Sequence, residues 1–212
     1  MSVMTLVKAI NNALDIELNE NENVVIYGED VGYEGGVFRV TQGLQQKYGV
    51  KRVFDSPLAE SGIIGTAVGM AVAGLKPVVE MQFSGFAYPG FNQMISHVAR
   101  MRNRSRGKYT SSLVIRTPYG GGIKALEHHS ESMEALYGHI PGLKVVIPST
   151  PHDAKGLLIS AIESEDPVIY MEPKRIYRAV KQEVSEDKFK LQIGKANIVQ
   201  QGTDVTVVSY GA

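Results

Sequence analysis

One carboxylate, Glu60, stands at the start of an apolar, glycine-rich stretch, FDSPLAESGIIGTAVGMAVAG at residues 54–74. The ordinary reading is a first-turn acid favoured by the helix dipole. Its setting argues for more. Leu58, Ile63 and Ile64 predict shelter, and a sheltered carboxyl that gives and takes a proton suits exchange with a heteroaromatic ring nitrogen. Four aromatic residues, Phe83, Phe86, Tyr88 and Phe91, follow the strand expected at 78–81. Most should fill core, but one of them stacked on a planar ring is the sharper reading. His128 and His129 follow the glycine-rich run PYGGG. Neighbouring side chains on regular backbone point apart, so the two are poor partners for one metal, and no H-x-x-x-H spacing supports zinc. Surface histidines are the ordinary case; a loop beyond a strand end also makes one of them a candidate proton carrier. His97, His139 and His152 read as structural.

Other chemistries are less supported. Gly28, Gly32, Gly35 and Gly36 lack dinucleotide-fingerprint spacing, and no Walker A sequence occurs. MRNRSRGK at residues 101–108 holds four basic residues and reads as a solvated helix end. Lys and Arg number 22, as do Asp and Glu, so no global field recruits nucleic acid or an anionic membrane. No apolar run reaches bilayer length, and the start MSVMTLVKAINNALD lacks a secretory apolar core. The chain contains no cysteine, which excludes disulfides and thiolate metal sites and leans toward the cytoplasm.

These groups need a frame. A chain of 212 residues folding compactly buries roughly 70% of its unfolded surface. Thr5 is placed to cap a helix to about Asn19. Strands are predicted at 24–27, 78–81, 113–117, 144–147 and 168–171, and helices at 40–48, 89–103 and 151–162. Ser56-Pro57 reads as cap and first position of the Glu60 helix. That helix is rich in Gly and Ala, which predicts tight packing against a neighbour. Helices alternate with strands that are apolar without interruption, the pattern of a parallel sheet covered on both faces. The expected organisation is a three-layer α/β domain at 1–173, a charged linker at 174–203, and, in DVTVVSY, the opening strand of a further domain at 204–212, cut short.

Several motifs together carry a resemblance. They are GEDVG (28–32), GGVFRVTQGL (35–44), RVFDSPLAESGIIG (52–65), EMQFSGFAYPGFNQ (80–93), RTPYGGG (116–122), HHSES (128–132), PGLKVVIPSTPHDAKGLLISAI (141–162) and DPVIYMEPKRIYR (166–178). With them the chain resembles the beta subunits of the E1 component of 2-oxo acid dehydrogenase complexes, over nearly its whole length. The family includes pyruvate, branched-chain and acetoin dehydrogenases.

The resemblance implies a thiamine-diphosphate enzyme whose pyrimidine-binding domain is this chain, usually an α2β2 tetramer. The alpha subunit would hold Mg2+ and the diphosphate. A single-chain enzyme would need its own GDG element, and none occurs here. It implies that Glu60 pairs with N1′ of the aminopyrimidine, that Phe86 packs on that ring, and that Glu29 belongs to the cofactor-binding set. His129 would serve substrate and the incoming lipoyl group. Some relatives hold a structural K+ on main-chain oxygens at Leu113, Ala161, Ile162 and Ser164, with Asp166 nearby. Implied partners are E1 alpha, a second beta subunit, the lipoyl domain, and the E2 acyltransferase through the further domain. The expected activity is oxidative decarboxylation of a 2-oxo acid, with pyruvate favoured; PKRIYRA also suits a branched-chain enzyme. A non-catalytic scaffold on the same fold is the alternative of another class. The chain by itself is expected not to turn over substrate.

Overall fold

The computed structural model describes residues 1–212. Strand β1 (Ser2–Thr5) leads into helix α1 (Leu6–Glu20), whose cap is Thr5: its hydroxyl accepts from the Lys8 amide at 3.3 Å. Strands β2 (Val24–Gly28), β3 (Val53–Asp55), β4 (Lys76–Glu80), β5 (Val114–Tyr119), β6 (Lys144–Val146) and β7 (Val168–Pro173) form one parallel sheet in the order β3-β2-β4-β5-β7-β6. Adjacent residues face opposite layers. Ile26, Val78, Val114 and Val168 join α1 and α7 (Pro151–Glu163) in one apolar cluster; Tyr27, Val79, Ile115 and Ile169 join α3 (Glu60–Val72) in the other. Burial on both faces is why the strands lack polar alternation. β8 (Lys181–Val184) pairs antiparallel with β1 in a separate ribbon.

Several expectations are corrected. The Glu60 helix does not open at Ser56-Pro57. The Ser56 amide donates to the Gly28 carbonyl at 2.9 Å, which extends the β2–β3 pairing, so Ala59 precedes the first helical residue, Glu60. The helix expected at 40–48 is only α2 (Leu44–Tyr48), because Gly43 takes a left-handed φ of +84° just before it. The single helix expected at 89–103 is a 3₁₀ turn (Ser84–Gly90), α4 (Phe91–Gln93), a π turn (Met94–Val98) and α5 (Met101–Arg104). β5 runs through Pro118 and stops at Gly120, whose φ is +78°. α6 (Glu134–Gly138), β1, β3 and β8 were too short to read from pattern. The strand expected at residues 204–210 is not formed: these residues are exposed and pair with no neighbour, and an unpaired strand has no ladder to hold it. The glycine-rich helix is buried on one side only, with Gly62, Thr66, Gly69 and Ala73 open to solvent.

Residues 181–193 are clasped to α7 and α1. Lys155, fully buried, donates to the carbonyls of Ser185 (2.6 Å), Glu186 (3.0 Å) and Asp187 (2.8 Å). Lys188 joins Glu17, Glu20 and Glu163 at 2.7, 2.8 and 2.9 Å. Gly156 lets this segment approach; a Cβ there would lie 2.7 Å from both Phe189 and Leu191. Lys155→Met leaves three carbonyls without their donor and should cost about 2–3 kcal/mol. Urea unfolding checks this, and an unchanged midpoint would remove Lys155 from the account.

Candidate active site

The candidate residues meet at the carboxyl ends of the central strands, where α/β sheets leave a crevice for ligands. Glu29 follows β2, Phe83 and Phe86 follow β4, the His129 loop follows β5, and Glu60 opens α3 beyond β3.

Glu60 is 9% exposed and takes the first helical position, where backbone N–H dipoles favour a negative charge. Three contacts set it. Tyr27 stacks on Phe54 at 4.9 Å and donates to the Ile63 carbonyl at 2.8 Å. Ser61 donates to the Pro89 carbonyl at 3.0 Å. Gly90 presses on the helix start: a Cβ there would collide with Ile64 and lie 3.2 Å from the Glu60 carbonyl oxygen. The helix is therefore locked to the turn that carries Phe86. Ile63 and Ile64 shelter the site as expected, whereas Leu58 is 79% exposed.

Glu29 is buried, and its Oε1 has no hydrogen-bond partner. Burial pushes its carboxyl above the usual range, and the charges of Glu60 and Asp30 push the same way. Two carboxyls thus sit within electrostatic reach of each other, and one buried oxygen of Glu29 has no partner. A buried acceptor without a donor is costly unless a ligand supplies one. This arrangement fits a polar, nitrogen-bearing ring held against Glu60. Asp55 braces the loop that follows Glu29, accepting from the Gly32 amide at 2.6 Å and the Tyr33 amide at 3.3 Å.

The aromatic group divides. Phe83 and Phe86 meet edge-to-face at 5.3 Å, and the His129 ring packs on both, at 4.5 and 5.0 Å. Phe86 is half-buried and so keeps surface for a ligand ring. Phe91 turns to Tyr137 in the core, and Tyr88 is exposed beside His128. His129 Nδ1 lies 3.0 Å from the Glu127 carbonyl oxygen. That oxygen only accepts, so Nδ1–H is the donor of this contact and Nε2 is the nitrogen left without a protein partner. His128 takes a left-handed φ of +68°, and its carbonyl rests on Gly85, where any Cβ would collide with it.

Under the site lies a buried charge network. Arg116 Nη1 donates to Glu80 at 2.8 Å, and its Nε and Nη2 donate to the two oxygens of Glu172 at 2.7 and 3.0 Å. Tyr177 donates to Glu172 at 2.6 Å. Burial works against the Arg116 charge, but Glu172 and Glu80 hold it protonated. Burial pushes Glu80 up, with Arg116 pulling the other way. Gly36 covers Glu80: a Cβ there would lie 3.0 Å from its Oε1. Sequence reasoning missed this network. Its signal was one charge near the end of each of three apolar strands, in PVVE, VIRTPY and VIYMEP.

The main-chain set expected to hold K+ does not fit that ion. The Lys76 ammonium lies among these groups, donating to the Ile162 carbonyl at 3.0 Å and to Ser112 Oγ at 2.9 Å. Ser112 in turn donates to the Ser164 carbonyl at 2.6 Å. Leu113 and Ala161 carbonyls accept from the amides of Val168 and Ser164. Asp166 is paired with Arg102 at 2.7 Å and Lys144 at 3.2 Å. A fixed positive charge among the donors disfavours a second cation. The Arg102 pairing also accounts for part of the basic run at 101–108 as a neutralised surface.

A family model described as the transketolase pyrimidine-binding domain matches residues 2–180. The pyruvate dehydrogenase E1 component subunit beta of Acholeplasma laidlawii is 61% identical over 212 residues, 100% of this chain and 65% of that protein. Its counterpart in Mycoplasma genitalium is 58% identical over 97% of this chain and 63% of that protein. That of Bacillus subtilis is 51% identical over 100% and 65%. The chain thus spans somewhat under two thirds of the length of these relatives. Among solved structures, an inactive beta4 tetramer of a split-gene transketolase matches with a TM-score of 0.64 at 20% identity, over 79% of this chain and 50% of that one. That likeness is one of fold. No helix here is long and apolar enough to cross a membrane.

Proposed function

The chain belongs to the transketolase pyrimidine-binding-domain family, and from that premise we propose that it is the beta half of a thiamine-diphosphate-dependent 2-oxo acid dehydrogenase, with pyruvate as substrate. The observation that carries the reading is Glu60, sheltered at a helix start beside Glu29, whose carboxylate oxygen has no partner. Glu60 would exchange a proton with N1′ of the coenzyme's aminopyrimidine. Phe86 would pack on that ring and keep water from it. Burial, and after it the charges of Glu60 and Asp30, raise the Glu29 carboxyl, which places it to receive a hydrogen bond or proton from the same ring. When bound, the coenzyme supplies the electron sink that lets a 2-oxo acid lose carbon dioxide. His129 Nε2, the ring nitrogen not engaged by the Glu127 carbonyl, would carry protons as the acyl group passes to a lipoyl arm.

The alpha subunit would contribute Mg2+ and the diphosphate site, a second beta subunit would complete the tetramer, and E2 would receive the acyl group. Pyruvate is preferred over branched-chain or acetoin chemistry because the similar proteins carry that name at 51–61% identity. The test is thiamine diphosphate binding by calorimetry, with this chain alone and with alpha, followed by a 2-oxo acid panel on the reconstituted enzyme. Tight binding should appear only with alpha, and pyruvate should lead branched acids by about tenfold or more in kcat/KM. Tight binding by the chain alone would sink the shared site, and a lead for branched acids would sink the substrate assignment.

A further inference from the structure

Lys174 opens a short 3₁₀ turn (Lys174–Ile176) just after β7 and is 6% exposed. Its ammonium donates to the main-chain carbonyl of His129, a residue 45 positions earlier. The same ammonium lies 5.2 Å from the centre of the Phe83 ring, within cation–π range. Phe83 in turn packs on the His129 imidazole at 4.5 Å. One buried cation therefore holds both the backbone of His129 and the aromatic wall its ring rests on. Burial has pushed this amine down to about 8, and a desolvated donor of this kind binds a carbonyl strongly.

The loop needs such a tether. Residues 121–128 are exposed. The bonds that organise the loop include Gly120 amide to Glu131 carbonyl at 2.9 Å and His129 amide to Leu126 carbonyl at 3.4 Å, and both lie within the loop itself. The Lys174 bond crosses from the sheet to the loop at the residue that bears the imidazole.

We propose that Lys174 is the positioning residue of His129, holding its imidazole at the mouth of the site for transfer of the acyl group to a lipoyl arm. This rests on the reading of His129 given above. Lys174 touches neither substrate nor coenzyme in this role. It fixes where the imidazole stands, and a misplacement of about 1 Å is enough to cost a proton-transfer step up to about 10²-fold.

The test uses the enzyme assembled with alpha. Lys174→Met should raise amide exchange over residues 121–131 without changing exchange in the sheet. It should slow acylation of a lipoyl domain by about tenfold or more. In a double-variant cycle with His129→Gln it should add less than about twofold, because its effect runs through the imidazole. Lys174→Arg keeps charge and donor and should restore both loop protection and acylation; it also serves if the Met variant fails to assemble. Unchanged loop exchange in Lys174→Met, a full multiplicative loss in the double variant, or no rescue by Arg would overturn the proposal. Amide exchange needs no turnover, so a failure of the enzymatic reading, seen as normal activity in a Glu60→Gln enzyme, is told apart from a failure of the tether.

Discussion

Glu60→Gln, assembled with its alpha partner, should lose about 10²–10⁴-fold in 2-oxo acid turnover and still form the heterotetramer. Glutamine has the shape of glutamate and can occupy the first position of α3, packed beneath Gly90 as now. It cannot exchange a proton with a ring nitrogen. The loss of a negative charge at the helix start costs only about 0.3–1 kcal/mol, so the fold should survive. Glu29 provides an internal check. Its carboxyl is raised first by burial and next by the charge of Glu60; removing that charge should let it fall back toward the usual carboxylate range, visible by NMR titration. The measurements are steady-state decarboxylation and gel filtration. Activity within about threefold of wild type would favour a scaffold role over general acid–base chemistry.

Arg116→Met should have the largest effect on stability. Arg116 is the guanidinium between Glu80 and Glu172, and all three side chains are buried. Without it two carboxylates lose their counter-ion inside the sheet, a loss of about 3–5 kcal/mol, against a total of about 5–15 for a typical domain. The pH dependence has a definite sign. Burial already raises the Glu80 carboxyl, and Arg116 opposes that rise; removing the guanidinium lifts it further. A carboxyl with a folded-state pKa above its unfolded value binds more protons when folded, so stability is lost as pH rises through that window. The deficit should be large at pH 8 and shrink toward pH 5, about one unit above the ordinary carboxylate range. Urea midpoints at the two pH values check it. A deficit flat with pH would assign the loss to shape. Adding Glu80→Gln and Glu172→Gln should recover part of the stability, because the charges that lost their partner are then gone.

Local pattern determined much of this protein. The mostly apolar, non-alternating runs VVIYG, PVVE, VIRT and VIYM sit in buried parallel strands, because strands covered on both faces cannot alternate. Thr5 and Thr150 cap α1 and α7 through short-range bonds from amides three residues on, and Gly49 ends α2 at a positive φ of +81°. These features depend on neighbours in sequence, so the chain displays them directly. Glu60 and the aromatic residues after β4 were visible for the same reason: an acid at an apolar helix start and rings past a strand end are local anomalies.

Tertiary structure alone decided the rest. The order β3-β2-β4-β5-β7-β6 sets Glu80, Arg116 and Glu172 on three adjacent strands, although 36 and 56 residues separate the arginine from its partners. The ammonium of Lys174 reaches His129, and that of Lys76 reaches Ile162, only because of the same packing. The pairing of Ser56 with Gly28 moved the start of α3 to Glu60, against the local Ser-Pro cap signal. Periodicity and capping are written in neighbouring residues; which apolar faces meet, and so which charges share a buried site, is settled by minimising exposed surface over the whole chain at once.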